Sequence, residues 1–232
     1  MATAVLARRK LRPDDIFFPA MALLILGIVL TGFAKTYFLA GMIFAKLPNR
    51  LVHVHGAFFV SWVSLLVAQT WLVAAHKTKW HKKLGVLAVI FLPAMSILGT
   101  LTVIDFVRRA LDYETPELIL AGDLETLALF VLLTSWALLA RRDASSHKRL
   151  MILGTMAIMG PAIDRWNFGV VITLGTILGL PLLVLAYDLW LIKRVHRITA
   201  VATALIAVVT FTAIPFSKLR FWHQWVVWIR HT

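Results

Sequence analysis

The sequence contains no cysteine and few charged residues. Of its 232 residues, 15% are Asp, Glu, Lys or Arg, whereas 60% are hydrophobic. The lack of cysteine excludes disulfides, thiolate metal sites and cysteine-based catalysis, and it leaves the redox compartment open. The shortage of charge argues against an ordinary soluble domain, in which about a quarter of the residues are charged. A mean hydropathy of +0.85 instead indicates a chain that lies in a lipid bilayer.

Apolar runs long enough to cross a membrane recur along the chain. A spanning helix needs about 20 mostly apolar residues, and charged segments separate seven runs near that length. The predicted fold is therefore all-α, a polytopic membrane bundle in one domain (1–216) with an amphipathic interfacial tail (217–232). The predicted spans are residues 16–41, 51–75, 84–106, 118–140, 150–168, 170–192 and 198–216.

The basic residues are concentrated in alternate loops. A net charge of +13 would suggest nucleic acid in a soluble protein, but 15 of the 24 Lys and Arg lie on one side of the predicted spans. The positive-inside rule makes that side cytoplasmic. We therefore expect a multi-pass protein of the cell membrane with a cytoplasmic N-terminus and an external C-terminus, bound by membrane lipids and not by nucleic acid. The fifteen are Arg8, Arg9, Lys10, Arg12, Lys77, Lys79, Lys82, Lys83, Arg141, Arg142, Lys148, Arg149, Lys193, Arg194 and Arg197.

Two segments of the chain resemble each other. "WHKKLGVLAVIFLPAM" (80–95) and "SHKRLMILGTMAIMGPA" (146–162) each begin a span with His, two basic residues and Leu. The spans before them each begin with a polar pair, His53 and His55 in one and Asp123 and Glu125 in the other. The pattern predicts a parallel repeat in which spans two and three correspond to spans four and five. Basic residues begin most inward helix ends, so the similarity also has a simpler explanation.

Ionisable residues of three spans reach one predicted depth near the outer surface. Helix rise brings His55, Asp123 and Asp164 to this level, with His53 beside them. Imidazole and carboxylate groups are common ligands of zinc, iron and copper, so these four residues are the predicted metal ligands. The same groups also suit a proton or ion pathway, or a structural hydrogen-bond network.

Only one of the two histidines in span two can easily face the bundle. His53 and His55 are two residues apart and therefore about 200° apart around a helix. His55 shares a stripe with Trp62 and Gln69 at seven-residue spacing, which is more polar than the rows beside it. We expect His55 to face inward and His53 to lie at the outer interface.

A second layer of histidines lies at the inner surface. His81 and His147 are equivalent under the proposed repeat and stand next to basic residues. Histidines in this position commonly contact lipid headgroups. Two opposed imidazoles on neighbouring helices are also what haem b ligation requires, so His81 and His147 are the predicted cofactor ligands.

Three segments carry a resemblance to known families. "HGAFFVSW", "WHKKLG" and "HKRLMILGTMAIMGPAIDRW", within residues 51 to about 166, resemble the His-led segments of uncharacterised bacterial multi-span proteins, a domain of unknown function. That resemblance implies a fold and no reaction. The placement of His55 and His81 at the heads of successive antiparallel spans is also similar to the ascorbate-reducible transmembrane b-type cytochromes. In those proteins four histidines bind two haems, one near each surface.

The sequence departs from the cytochrome pattern at both expected partner positions. Asp123 and Glu125 stand where a partner of His55 would lie, and the partner position of His81 holds Phe17 and Phe18. The two-haem scheme is therefore not matched. A single haem between His81 and His147 remains compatible with the sequence.

Three classes of function remain open. The first is a membrane protein that holds a metal ion or a redox cofactor, for which a quinone or another small lipophilic molecule is a candidate substrate. The second is a proton- or ion-coupled transporter that uses His55, Asp123 and Asp164. The third is an accessory subunit without chemistry of its own. The sequence names no reaction.

Overall fold

The protein is an all-α bundle, as its sequence predicts. The computed structural model describes residues 11–39, 49–109, 111–112 and 114–231, and all regular structure within these ranges is helical. Three of the basic residues before the first predicted span lie outside these ranges: Arg8, Arg9 and Lys10. The helices are α1 (Pro13–Gly32), α2 (Arg50–Ala74), α3 (Thr78–Arg109), α4 (Pro116–Leu139), α5 (Ala144–Ala157), α6 (Gly160–Asp164), α7 (Val170–Ile192), α8 (Arg197–Ser217) and α9 (Arg220–His231).

Six helices are long and apolar enough to cross a membrane: α1, α2, α3, α4, α7 and α8. They confirm an integral, multi-pass membrane protein. The predicted first span was too long, because α1 ends at Gly32 and a π-helical turn follows over Ala34–Phe38. The end of that predicted span, residues 40 and 41, lies outside the described residues.

The predicted fifth span, 150–168, is not one continuous helix. It divides into α5 and α6, with tighter turns between them: the Ile158 amide bonds to the Thr155 carbonyl, and the Met159 amide bonds to the Met156 carbonyl. Pro161 has no amide hydrogen and suits the first turn of a new helix. The position of Pro161 is therefore compatible with a new helix that begins at Gly160.

The α5–α6 segment nevertheless runs the length of the bundle beside α1. Near the start of α1, Asp14 pairs with Lys148 at the start of α5. At the other end, the Trp166 indole donates to the Thr31 hydroxyl at 3.2 Å. Among the described residues, the broken α5–α6 segment therefore extends alongside the six helices that are long enough to span a membrane.

The alternating directions of the helices give the bundle two ends. At one end, which we call the basic end, α1, α3, α5 and α8 begin and α2, α4 and α7 end. We call the other the aromatic end, which α9 covers. There Trp222, Val226 and Ile229 of α9 are buried in a small cluster with α3 and α4. Away from this buried cluster, Trp225 and Trp228 of α9 are exposed, as expected for an interfacial helix.

Candidate functional site

The most deeply buried charges lie at the basic end, between α5 and α7. Arg149 is 2% exposed and Asp188 is fully buried. The Arg149 Nε donates to both carboxylate oxygens of Asp188, at 3.0 and 3.2 Å, and Nη2 donates to Oδ1. The Thr199 hydroxyl of α8 donates to Oδ2 at 2.5 Å. Arg149 Nη1 donates to the carbonyl and hydroxyl oxygens of Ser145, both at 2.9 Å. The pair is therefore well satisfied by hydrogen bonds.

A second ion pair lies beside the first and joins α1 to α5 and α7. Lys148 Nζ is 2.5 Å from Asp14 Oδ2, and the Tyr187 hydroxyl donates to Asp14 Oδ1 at 2.8 Å. The Tyr187 ring stacks on Phe17 with a centroid separation of 3.7 Å, and the Lys148 ammonium lies 4.8 Å from the Phe18 ring centroid. These contacts make the α5 start a junction of three helices.

The same junction brings the two predicted cofactor ligands together. The rings of His81 and His147 have centroids 6.3 Å apart and planes at 85°. His147 Nδ1 is 2.8 Å from the Ala137 carbonyl oxygen. Since a carbonyl only accepts, Nδ1 carries the proton of the neutral ring, which leaves the lone pair of Nε2 free. This is the arrangement in which metal-binding histidines are usually held.

The surroundings of His81 contain polar atoms without partners. His81 Nδ1 is buried without a hydrogen bond, and so are both side-chain polar atoms of Gln69 on α2. Gly85 lies one turn after His81, and a Cβ there would stand 3.9 Å from Gln69 Nε2.

No larger ligand cluster accompanies these histidines. Among the described residues there is no group of three or more His, Cys, Asp or Glu that could hold a metal ion.

Two polar residues outside the spans link this junction to the basic surface. His196 caps α8, with Nδ1 accepting from the Ile198 amide and Nε2 3.3 Å from the Ser145 hydroxyl. Burial lowers the pKa of His196, and the nearby Arg149 charge lowers it further. Asp143 caps α5, and a hydrogen bond from Ser146 at 2.5 Å holds the pKa of Asp143 below its ordinary value.

At the aromatic end, the two histidines of α2 differ as the stripe predicted. His53 is exposed, and its backbone carbonyl accepts a hydrogen bond from Tyr37 at 3.3 Å. His55 is half-buried and stacks on Phe59 with centroids 4.2 Å apart, and its Nδ1 is buried without a partner. Trp62, one step along the stripe, is fully buried and donates to the Thr155 hydroxyl at 3.1 Å.

The acidic residues of the predicted outer site do not contact His55. Asp123 is half-buried and Asp164 is exposed, and in the described residues no hydrogen bond or ion pair joins either side chain to His55. Arg165 lies within electrostatic range of both His55 and Asp123, and Asp164 within range of Asp123. The Arg165 guanidinium is 4.4 Å from the Phe33 ring centroid. A permanent cation therefore already lies near the predicted metal ligands.

The partners of the basic-end charges are not apparent from the sequence. Asp188 is the only charged residue within α7, and a lone acid in an apolar helix is a usual sign of a paired or functional group. The sequence therefore marks Asp188 as a residue of interest. It does not reveal that Asp188 pairs with Arg149, because hydropathy does not show which helices are neighbours.

Comparison with protein-family models, with curated proteins and with solved structures finds no match to this chain.

Proposed function

We propose that the protein is a membrane protein that holds a metal centre between His81 and His147, either a transition-metal ion or the iron of a haem. The observation that carries the proposal is the approach of the two rings, at 6.3 Å between centroids. Two imidazoles that each gave one nitrogen to the same ion, with metal–nitrogen bonds of about 2.0–2.1 Å, would have ring centroids within about 6 Å of each other. The observed separation therefore allows the two rings to hold one ion.

The surroundings of the two rings support this proposal. The Ala137 carbonyl orients His147 through Nδ1. The buried atoms of Gln69 could bond a water or a further ligand at the centre, and both Gln69 Nε2 and Oε1 have no other partner. A one-electron metal centre near a membrane surface would suit electron exchange with a lipophilic donor such as a quinol.

The direct test is the absorption spectrum and metal content of the purified protein. A Soret band would identify haem, and elemental analysis would identify a bound ion. The variant with both His81→Ala and His147→Ala should insert normally, because each residue lies near a helix start at the basic end, and it should lose the colour or the metal. A His53→Ala variant is the matched control and should retain both.

A wild-type protein that binds neither haem nor metal, even after loading, would contradict the proposal. Retention of the cofactor by the double variant would move the site elsewhere, first to the predicted ligands His55, Asp123, Asp164 and His53. Absence of a cofactor together with absence of ion flux would leave the accessory-subunit function.

A second candidate function is proton- or ion-coupled transport at the aromatic end. It is favoured by Arg165, whose charge acts electrostatically on both His55 and Asp123 and would balance negative charge without a metal. In proteoliposomes that contain a pH-sensitive dye, an imposed membrane potential should drive proton entry. His55→Ala should abolish that entry, whereas His53→Ala should not, because His53 is exposed. Equal rates in both variants and in empty vesicles would dismiss transport.

We propose that the basic end faces the cytoplasm and contacts anionic lipid headgroups. Its exposed basic residues include Lys77, Lys79, Lys82, Arg141 and Arg142. Such residues are retained on the cytoplasmic side and attract anionic lipids.

A further inference from the structure

Three consecutive residues at the start of α5 are held by three different helices. His147 bonds to the last turn of α4, Lys148 pairs with Asp14 of α1, and Arg149 pairs with Asp188 of α7. Neighbouring residues of a helix point about 100° apart, so the three contacts surround the helix. Together they define both the rotation of α5 about its axis and its position along that axis.

Of the two ion pairs, Arg149 with Asp188 restricts the position of α5 more than Lys148 with Asp14. Both partners are out of contact with solvent, and the carboxylate receives the side-on guanidinium as well as the Thr199 hydroxyl. Bonds of this kind are directional, and removal of one partner leaves an uncompensated buried charge. The Lys148 pair is partly exposed, with 28% and 29% of the two side chains accessible. We therefore expect Asp188 to act more strongly than Asp14.

We infer that Asp14 and Asp188 are positioning residues that hold His147 toward His81. They act through α5 and do not themselves contact either imidazole in any hydrogen bond of the described residues. The consequence for cofactor binding rests on the proposed function. The geometric statement does not, because it concerns only the distance between two helices, α3 and α5.

The geometric statement can be tested without any metal, because the chain has no cysteine. The double substitution His81→Cys and His147→Cys creates a reporter pair whose cross-linking by a short bismaleimide measures the approach of α3 and α5. Thr31→Cys with Trp166→Cys is the matched control pair at the aromatic end, where the native side chains are hydrogen-bonded at 3.2 Å. Each pair is made with and without Asp188→Asn.

Asp188→Asn should slow cross-linking of the reporter pair by about tenfold, because small displacements of reacting groups have large effects on rate. The control pair should be unchanged. Asp14→Asn should have a smaller effect in the same direction, and Asp188→Glu should restore part of the rate. An unchanged reporter pair, or an equal loss at both pairs, would overturn the inference.

If Asp188→Asn fails to fold, Asp14→Asn and Thr199→Val replace it in the experiment. Each should slow cross-linking of the reporter pair and leave the control pair unchanged. Copper(II) affinity of the chain with both histidines intact is the second readout, and it should fall by about tenfold with Asp188→Asn. A reporter-pair effect in a protein that binds no metal would contradict the proposed function and leave the positioning role intact. Normal copper affinity with impaired cross-linking would overturn the link between position and binding.

Discussion

At the basic end of the bundle, the Asp188 carboxylate receives hydrogen bonds from Arg149 and Thr199, whereas at the aromatic end Asp123 receives none from the side chains of the described residues. The imidazoles do not divide in the same way: His147 at the basic end bonds to a carbonyl, but Nδ1 is buried without a partner both in His81 at the basic end and in His55 at the aromatic end. The paired groups join helices to one another.

This difference separates two roles for charge inside a membrane. A charged group in an apolar surrounding is costly unless it is paired, so a fully satisfied pair such as Arg149 and Asp188 is suited to fix helix positions. A carboxyl group whose negative charge is balanced only by a distant cation, as at Asp123, can change its partner. We therefore expect substitutions at the basic end to alter folding more than those at the aromatic end.

The largest expected effect is the side of the membrane on which each end of the bundle lies, which a fused reporter shows as active or inactive. A reporter fused after Arg142 should be active in the cytoplasm, and one fused after Glu114 should be active outside, because the basic loops define orientation. The two positions lie at opposite ends of α4. The opposite pattern would exchange the sides of the two ends and contradict the proposed lipid contacts.

The next effect compares one acid from each end. Asp188→Ala should lower the free energy of unfolding by about 3–5 kcal/mol, because it leaves Arg149 buried without its counter-ion. Asp123→Ala should cost much less, since no described side chain bonds to it. Unfolding in a mixed detergent titration, followed by tryptophan fluorescence, measures both. Similar losses in the two variants would remove the distinction between the ends.

The smallest effect concerns the pH dependence of the basic end. Burial lowers the pKa of His196 in the folded protein, so the unfolded chain binds a proton first as the pH falls below about 6.5. His196 therefore adds no pH dependence above that value, and it makes stability fall below it until the folded protein is also protonated. Asn is an equally good helix cap at this position. His196→Asn should flatten the decline in melting temperature between pH 7 and 5, and an unaltered slope would exclude His196 as the cause.

Much of the architecture could be predicted from the sequence because lipid imposes long apolar helices. The run lengths predicted the spans, and the stripe of His55, Trp62 and Gln69 predicted which face of α2 is buried. Trp62 is 1% exposed, and His53 on the opposite side is exposed. Exposed Trp225 and Trp228 likewise agree with the predicted interfacial tail. These features depend on local periodicity, which a sequence displays directly.

Features that depend on neighbouring helices could not be predicted in the same way. The break after Ala157 is hidden in an apolar run, and only the backbone bonds reveal where the helix stops. Basic residues beside His147 were expected to contact headgroups, but Arg149 is buried against α7 instead. The predicted repeat and the predicted outer metal site remain predictions, although His55 and Asp123 lie within range of the same arginine.

The most direct test of the proposed metal centre is copper(II) titration of the purified, metal-depleted protein, followed by electron paramagnetic resonance. One copper ion per chain should bind with hyperfine coupling to two imidazole nitrogens. His81→Ala and His147→Ala should each reduce the coupling to one nitrogen and weaken binding, whereas His53→Ala should change neither. Copper binding that is indifferent to both His81 and His147, or the absence of both copper and haem binding, would contradict a metal centre between these two residues.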